Sequence, residues 1–402
     1  MSNQEVIGQS VEPSETRYFR GDIQGLRALA VILVILAHAQ ISHFAGGYIG
    51  VDVFFVISGY VITGLLLRQP AGQTFRNLGH FYARRIRRIM PAATLVMIAT
   101  LLFSFHYLGV YSSLPLLTDV RWASLFSANF HFISVGSDYF AQALPKSLIT
   151  HYWSLAVEEQ FYFVFPIVLF GSAAIFGLRK HRAALSTALL VIVTASAIWS
   201  GIETHANPTL AYYHPLTRFW EIGFGALIAA LPTAVQLRNE ILKAVGGWIS
   251  LAMIFGAALF LTDASPVPGV LTWWAVAPAG FLLWTGGTRS LSSPSGWLSV
   301  QPFRYIGDIS YSLYLFHYAW LNLPAQYVLL KYSQTTALPL AARLEQIAAA
   351  LICAVFSYHV LENPIRRSKF LDRRPWITPV LAVLMIGAVW LTAGLVQKYW
   401  TL

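Results

Sequence analysis

Residues 50–67 read GVDVFFVISGYVITGLLL, and this stretch decides the class of fold. It is 18 residues long, and Asp52 is its only charged residue. A helix of about 20 apolar residues spans the hydrocarbon core, because it satisfies its own backbone hydrogen bonds where lipid offers no partner. We therefore predict a transmembrane helix here, with one acidic group inside it.

Similar apolar runs recur along the whole chain. Hydrophobic residue types make up 56% of the 402 residues and charged types only 11%, less than half of the roughly 25% of a soluble domain. We predict an all-α, polytopic bundle of about eleven transmembrane helices. The predicted spans are residues 26–43, 48–67, 89–108, 153–178, 183–200, 215–232, 244–262, 270–286, 307–328, 341–361 and 376–396. Segment 109–152 mixes polar and aromatic residues, so we expect it to be interfacial or re-entrant and to shield a cavity.

The distribution of basic residues predicts the orientation. The net charge is +10, and most Lys and Arg residues fall in the loops that share a side with the N-terminus. The opposite loops keep only Arg121, Lys146, Lys331, Arg343 and Lys398. By the positive-inside rule the N-terminus is cytoplasmic and, with eleven spans, the C-terminus is extracytoplasmic. Basic residues placed in this way do not form a nucleic-acid surface, so we expect no nucleic-acid partner.

Two polar residues in the first span are candidates for function. Ten residues separate Arg27 from His38, which places them roughly 16 Å apart along the helix axis. A hairpin turning at residues 46–47 would bring Asp52 to the depth of His38. A carboxylate beside an imidazole fixes its tautomer and builds a general base. The alternatives are an interhelical hydrogen bond for His38 and an N-terminal cap for Asp52.

Residues 151–162, HYWSLAVEEQFY, carry a second polar group into the membrane. Ser154 and Glu158 are four residues apart, so they share one helix face. Because two adjacent buried carboxylates would repel each other, we expect only one of Glu158 and Glu159 to face the interior as an anion. The alternatives are that Ser154 is a helix cap and that Glu158 is a favourable anion in the first turn.

Four arginines precede the third span, in the sequence RRIRR of residues 84–88. Such a cluster anchors the inner side of a membrane protein or binds lipid phosphate. Arginine is also suited to bidentate contacts with a phosphorylated ligand from the cytosol. Deeper in the membrane, Arg218 and Glu221 have the spacing of a pair on one helix turn. We interpret these two, together with Tyr311 and His317, as scaffold or acceptor-side support.

Taken together these pieces resemble acyltransferase family 3, the membrane O-acyltransferases of the OafA/OatA type. The resemblance covers residues 18–368 and rests on pieces that occur in order along the chain. They are the gap from Arg27 to His38, GVDVFFVISGY at 50–60, the R-x-x-R of Arg85 and Arg88, residues 151–162, RFWE at 218–221, ISYSLYLFH at 309–317 and ENP at 362–364.

The resemblance implies an enzyme of a bacterial inner (plasma) membrane that moves an acyl group, usually acetyl, from cytoplasmic acyl-CoA to a hydroxyl of an extracytoplasmic or lipid-linked glycan. Acetyl-CoA is then a substrate, and we expect no permanently bound cofactor and no metal. The resemblance implies that His38 is the catalytic histidine and that Arg27, Arg85 and Arg88 bind the donor or form the active-site scaffold. Our own hypothesis is that His38 is a base oriented by Asp52 or Glu158. If a covalent acyl-enzyme forms, Ser58, Tyr60, Ser154 and His38 are the alternatives for carrying it. The remaining residues expected to support the acceptor or the site are Trp153, Arg218, Glu221, Tyr311 and His317.

The same resemblance divides the chain. Residues 1–17 are a polar cytoplasmic tail, 18–368 the acyltransferase domain, and 369–402 a linker with one more transmembrane helix. Relatives often continue from such a helix into an extracytoplasmic SGNH-type domain, which makes that domain an expected partner beside acyl-CoA, glycan and membrane lipid. The rival prediction is a transporter or flippase for a lipid-linked or anionic solute. A transporter often carries an inverted repeat, and the sequence shows none.

Overall fold

The computed structural model describes residues 20–68, 74–137, 139, 146–231, 237–287, 290, 292–332 and 338–400, with only the backbone for 74–77, 172–182 and 400. Regular secondary structure within these ranges is entirely helical, which confirms the all-α class. The helices are α1 Gly21–His38, α2 Gly50–Leu67, α3 Thr74–Leu108, α4 Val110–Ser124, α5 Ala128–Ser134, α6 Tyr152–Ala206, α7 Pro208–Tyr213, α8 Pro215–Ala230, α9 Glu240–Phe260, α10 Trp273–Thr285, α11 Pro294–Leu298, α12 Gln301–Tyr332, α13 Leu340–Ser357, α14 Asn363–Arg366, α15 Lys369–Arg373 and α16 Ile377–Trp400.

Eight helical segments of the described chain are long and apolar enough to cross a membrane, which supports a multi-pass protein. Three predicted spans, 215–232, 270–286 and 307–328, are not among these eight. Helix α8 has 16 residues and α10 has 13, while α12 has 32 residues but carries buried polar side chains such as Ser310, Ser312 and His317. These helices lie inside the bundle, so protein and not lipid surrounds much of their surface.

Helix α6 holds two of the predicted spans in one unbroken helical run of 55 residues. A straight helix would place Phe161 and Ser196 roughly 52 Å apart. Yet the Phe161 ring lies 5.3 Å from that of Phe219, and the Oγ of Ser196 accepts a 2.9 Å hydrogen bond from the neighbouring Trp220 backbone N–H. The chain therefore turns back between Phe161 and Ser196, and the two halves, Tyr152–Gly171 and Ala183–Ala206, are separate apolar segments.

Helix α10 and the chain before it, from Thr262 onward, together connect the two ends of the bundle. The segment before it is fixed near the start of α2, where the Tyr48 hydroxyl donates to the carbonyl of Thr262. Directly after it, the N–H of Gly287 donates to Asp22, one residue into α1. The start of α2 and the start of α1 lie at opposite ends of their hairpin. The predicted membrane crossing at 270–286 stays a prediction, because this apolar helix is shorter than the eight segments counted above.

The turn between α1 and α2 differs from the prediction. We expected it at Gly46 and Gly47, but the chain turns at residues 39–44, where Gln40 and His43 adopt positive φ angles of 52° and 70°. Gly47 already packs against the Leu33 carbonyl of α1, inside a 3-10 turn at Ala45–Ile49. The two glycines thus allow close helix packing and do not make the turn.

Helices α2 and α8 approach closely, and this contact positions the functional residues. A Cβ atom added at Gly59 would collide with the backbone carbonyl of Ile222, and one added at Gly225 with that of Val56. Small residues facing each other let membrane helices come together along their backbones. The opposite face of α2 is then turned toward α3, α6 and α12, where it lines a cavity.

Candidate active site

A cavity of about 300 Å³ opens among α1, α2, α3, α6 and α12. We call it the arginine cavity, and the end of the bundle where it lies the arginine end. Among its charged lining residues only Glu158 is acidic, and the basic ones are Arg27, Arg84, Arg85, Arg88 and Arg366. Such an excess of guanidinium groups in a concave site attracts anions and suits phosphate oxygens.

The four arginines of α3 at residues 84–88 lie on two different faces of the helix. Residues 84, 85 and 88 fall within an arc of about 100° on a helix, and all three line the cavity. Arg87 points away and pairs with Asp372 of α15 at 2.5 Å. The cluster therefore serves two purposes, because one arginine fastens α3 to the C-terminal region and the other three face the cavity.

The arginines that line the cavity differ in whether a carboxylate of the protein already pairs with them. Arg85 pairs with Glu159 at 2.5 Å, lies 3.5 Å from Glu158 and stacks over the ring of Tyr162. Arg84 and Arg88 make no hydrogen bond or ion pair with any residue in the described parts of the chain. These two guanidiniums are available for a ligand, whereas Arg85 is held in place by carboxylates.

Polar side chains also line the deeper part of the cavity. Arg27 donates to the Ser310 hydroxyl at 3.2 Å, and the Ser154 hydroxyl lies 2.7 Å from that of Tyr314. Ser58 and Tyr162 both donate to Glu158, at 2.8 and 2.7 Å. The cavity therefore leads from the exposed Arg84 to a pair of hydroxyls inside the bundle.

Beyond these hydroxyls lies a pair of histidines at the other end, which we call the histidine end. The Nδ1 of His317 is 2.6 Å from the backbone carbonyl of Tyr314, and a carbonyl only accepts. In a neutral ring, the Nε2 of His317 is then an acceptor, and it receives the Nδ1–H of His38 at 2.9 Å. This leaves the Nε2 lone pair of His38 free to accept from the Tyr139 hydroxyl, at 2.6 Å. The hydrogen bonds thus determine which nitrogen of His38 is basic.

Tyr314 lies between the two sites and contacts both. Its side chain lines the arginine cavity, its carbonyl holds His317, and its ring centroid lies 5.4 Å from that of His317. His317 is fully buried, whereas His38 is half-buried. The imidazole of His38 therefore lies at the histidine end, with both ring nitrogens hydrogen-bonded, on the far side of Tyr314 from the cavity.

Comparison with known proteins assigns this arrangement to a family. The family described as "Acyltransferase domain" matches residues 20–393, which is most of the chain. The chain belongs to this acyltransferase family. The match includes both the arginine cavity and the histidine pair, and it confirms the resemblance inferred from the sequence motifs.

Curated relatives of the chain support the family assignment. The chain is 31% identical over 376 residues to "Peptidoglycan O-acetyltransferase OatA" of Listeria monocytogenes, covering 89% of this chain and 58% of the relative. It is 30% identical over 365 residues to "O-acetyltransferase OatA" of Staphylococcus aureus, covering 88% of this chain and 58% of the relative. The chain thus spans less than two thirds of the length of these relatives. No solved structure matches the chain significantly.

Most of the residues predicted to be functional meet in one of three places. The arginine cavity brings together Arg27, Ser58, Arg85, Arg88, Ser154, Glu158 and Tyr311. His38 and His317 form the pair at the histidine end. Trp153 lies beside Arg218, whose guanidinium carbon is 5.2 Å from the indole centroid, with Asp52 and Glu221 as its ion-pair partners. Tyr60 lies elsewhere at the arginine end and accepts from Arg20 at 3.2 Å.

The predicted pairing of His38 with Asp52 is wrong. The Oδ1 of Asp52 lies 2.5 Å from Arg218, and no carboxylate is among the described contacts of His38. Because Gly47 packs against the Leu33 carbonyl and Gly50 against that of Ala30, Asp52 lies about ten residues, roughly 15 Å, deeper than His38. A second histidine and a tyrosine take the place of the expected carboxylate.

The predicted alternative, in which Glu158 orients His38, is also wrong. Glu158 contacts Ser58, Tyr162 and Arg85 in the arginine cavity. It shares a helix face with Ser154, as its spacing predicted, but that face meets the cavity and not the histidine pair. We therefore interpret Glu158 as a residue that holds Arg85 in place and forms part of the cavity wall.

Sequence reasoning missed several members of the site. Tyr139 lies in the segment read only as interfacial, and nothing local shows that its hydroxyl reaches His38. His151 is fully buried, donates from Nε2 to the Leu315 carbonyl at 3.1 Å, and leaves Nδ1 without a described partner. Its ring centroid is 5.7 Å from that of His317. The spacing of Ser310, Tyr314 and His317, four and then three residues apart, was the available signal for one functional face of α12.

Proposed function

We propose that this chain is a membrane O-acyltransferase that moves an acetyl group from acyl-CoA in the cytoplasm to a hydroxyl of an extracytoplasmic or lipid-linked glycan, in a bacterial inner membrane. Family membership and the names of the relatives support O-acetyl transfer. One observation supports both the choice of donor and the direction of transfer: the cavity is lined by five arginines, and beyond Tyr314 at its deep end lies His38, whose basic nitrogen bonds Tyr139.

The arginine cavity suits the donor. Acyl-CoA carries its phosphates at one end and its thioester at the tip of a narrow pantetheine arm. We assign the phosphates to Arg84 and Arg88 and the arm to the space beyond Arg27. A volume of about 300 Å³ is at the lower end of small-molecule pockets, so the nucleotide stays at the mouth.

The histidine pair suits the transfer step. A hydroxyl is a poor nucleophile at neutral pH and needs a base. In our scheme the acceptor hydroxyl replaces the phenol of Tyr139 at the Nε2 of His38. Its oxygen forms a bond to the thioester carbonyl carbon while the carbon–sulfur bond breaks. His38 takes the hydroxyl proton and returns it to the leaving thiolate, and His317 stabilises the transient imidazolium by accepting from Nδ1.

Tyr314 must move for this step to occur. It closes the deep end of the cavity through its bond with Ser154, and the thioester has to pass it to reach His38. We assign it the role of a gate that opens when the pantetheine arm enters. The proposal that the acceptor is a glycan such as peptidoglycan rests on the names of the relatives.

The test separates donor binding from transfer in the purified full chain. Arg88→Gln should weaken acetyl-CoA binding by about tenfold or more, since a charge-assisted hydrogen bond contributes roughly 1.5–3 kcal/mol. Arg373→Gln removes the same charge from an exposed position outside the cavity and should leave binding unchanged. His38→Gln should bind acetyl-CoA normally but lose about 10²- to 10⁴-fold in glycan-dependent release of CoA. Equal binding by the two arginine variants, or wild-type turnover by His38→Gln, would overturn the proposal, as would transport of acetyl-CoA without its cleavage.

A further inference from the structure

A second cavity, of about 380 Å³, lies at the histidine end among α3, α4, α5, α12 and the stretch before α6. It plays no part in the mechanism described above. Most of its lining side chains are polar, and those that matter for the argument are Ser112, Thr118, Asp119, His131, Lys146 and Gln326. Hydroxyl, amide, carboxylate and imidazole groups supply both hydrogen-bond donors and acceptors.

The two cavities differ in chemistry. The arginine cavity has five guanidiniums and one carboxylate in its lining, which suits a multiply charged anion. The second cavity has one lysine and one aspartate, so these two charges balance, and its lining also includes serine and threonine hydroxyls and the Gln326 amide. Its volume lies within the roughly 300–1,000 Å³ of small-molecule sites. A neutral molecule rich in hydroxyl groups is the ligand class that fits such a lining.

Asp119 and His131 form the centre of this cavity. The Nε2 of His131 is 2.9 Å from Asp119 Oδ1, and only 6% of Asp119 and 8% of His131 is exposed. The indole of Trp122 stacks on the imidazole with centroids 5.8 Å apart and planes inclined by 6°. Burying polar groups of this kind gains little stability by itself. Asp119 and His131 lie in the wall of a cavity, and stacking on Trp122 fixes the geometry of the imidazole. We therefore interpret the two side chains as groups that bind a ligand.

The cavity is connected to the histidine pair through Lys146. Lys146 lines the cavity, and its ammonium group donates to the backbone carbonyl of Tyr139 at 2.5 Å. The amide of Gln326, also in the lining, donates to the Lys146 carbonyl at 2.7 Å. Tyr139 in turn donates to His38. A molecule in the second cavity is thus one residue away from the phenol that covers the basic nitrogen.

We infer that the second cavity is the acceptor site and that it binds a hydroxyl-rich saccharide, with Asp119 and His131 holding sugar hydroxyls. The inference rests on the proposed function for its meaning in catalysis, but saccharide binding itself does not require it. Asp119 accepts from a hydroxyl, His131 exchanges hydrogen bonds with a neighbouring one, and Lys146 places the sugar against Tyr139. The donor and acceptor then approach His38 from opposite ends of the bundle.

Binding of two radiolabelled probes to the purified full chain, measured by equilibrium dialysis without acetyl-CoA, tests the inference. The probes are chitotetraose and a tetrasaccharide of alternating N-acetylglucosamine and N-acetylmuramic acid. Wild-type protein should bind at least one of them, and Asp119→Asn and His131→Gln should weaken that binding about tenfold or more. Tyr111→Ala changes a side chain of α4 that is 90% exposed and lies outside the cavity lining, so it should bind as wild type does.

The outcomes separate this inference from the proposed function. Wild-type protein that binds neither probe, or variants that bind as wild type does, would overturn the acceptor site whatever the acetyl-CoA measurements show. Saccharide binding lost in the variants, in a protein that never cleaves acetyl-CoA, would support the site and refute the proposed function. If Asp119→Asn does not fold, Ser112→Phe fills the same cavity from an exposed position and should abolish probe binding.

Discussion

Asp52, Arg218 and Glu221 form a group in which two carboxylates share one guanidinium. Arg218 lies 2.5 Å from Asp52 and 3.2 Å from Glu221, and their side chains are 3%, 4% and 0% exposed. The charges are enclosed by aromatic rings, with Arg218 within 5.5 Å of the ring centroids of Phe55, Trp153 and Tyr212. The group joins α2 to α8 and has no direct contact with His38 among the described residues; Tyr212 and Tyr139 lie between them. We interpret it as structural.

This interpretation predicts a loss of stability. Arg218→Gln should lower the free energy of unfolding by about 3–5 kcal/mol, because it leaves buried carboxylates without their cation. The exposed pair Lys243–Glu240 has the same three-residue spacing, and Lys243→Gln should cost less than about 1 kcal/mol. Denaturation in detergent measures both. Asp52→Asn that keeps full stability but loses CoA release would instead support a catalytic Asp52.

At the scale of elements, the close packing of α2 on α8 makes a prediction about glycine. Gly59→Ala should destabilise the protein by about 1–3 kcal/mol, because its new methyl group meets the Ile222 carbonyl and the helices must separate. Gly64 lies on the same helix with no other group within 4 Å of an added Cβ, so Gly64→Ala should be neutral or slightly stabilising. Thermal unfolding midpoints compare the two. Equal effects would contradict the packing argument.

The orientation of the whole molecule decides which substrate reaches which cavity. The proposed function requires the arginine end to face the cytoplasm and the histidine end to face outward. The single cysteine allows a simple test. In a Cys353→Ser background, Tyr111→Cys should react with a membrane-impermeant maleimide in intact cells, and Arg373→Cys only after permeabilisation. Labelling of both from the same side would refute the arrangement.

Much of this molecule followed from the sequence by itself. Hydropathy predicts the helical class, because a chain in lipid must satisfy its backbone hydrogen bonds within helices. Polar residues inside apolar runs are expensive and therefore mark candidates, and Arg27, Ser154 and His317 all lie in the arginine cavity or the histidine pair. The spacing of residues along one helix also predicted their common face correctly, since Ser154 and Glu158 share a face as expected. All of these are local properties of the chain.

Only the tertiary structure decided which side chains meet. The rise per residue gives the depth of a side chain along its own helix. It does not give the rotation of that helix about its axis or the residue at which a hairpin turns. The chain turns before Gly46, so Asp52 lies deeper than a count from the glycines suggests and faces Arg218. His38 then takes its partners from α12 and from the segment before α6, through contacts between residues more than 100 positions apart. Such contacts depend on how the helices pack as a set, and no local pattern in the sequence encodes them.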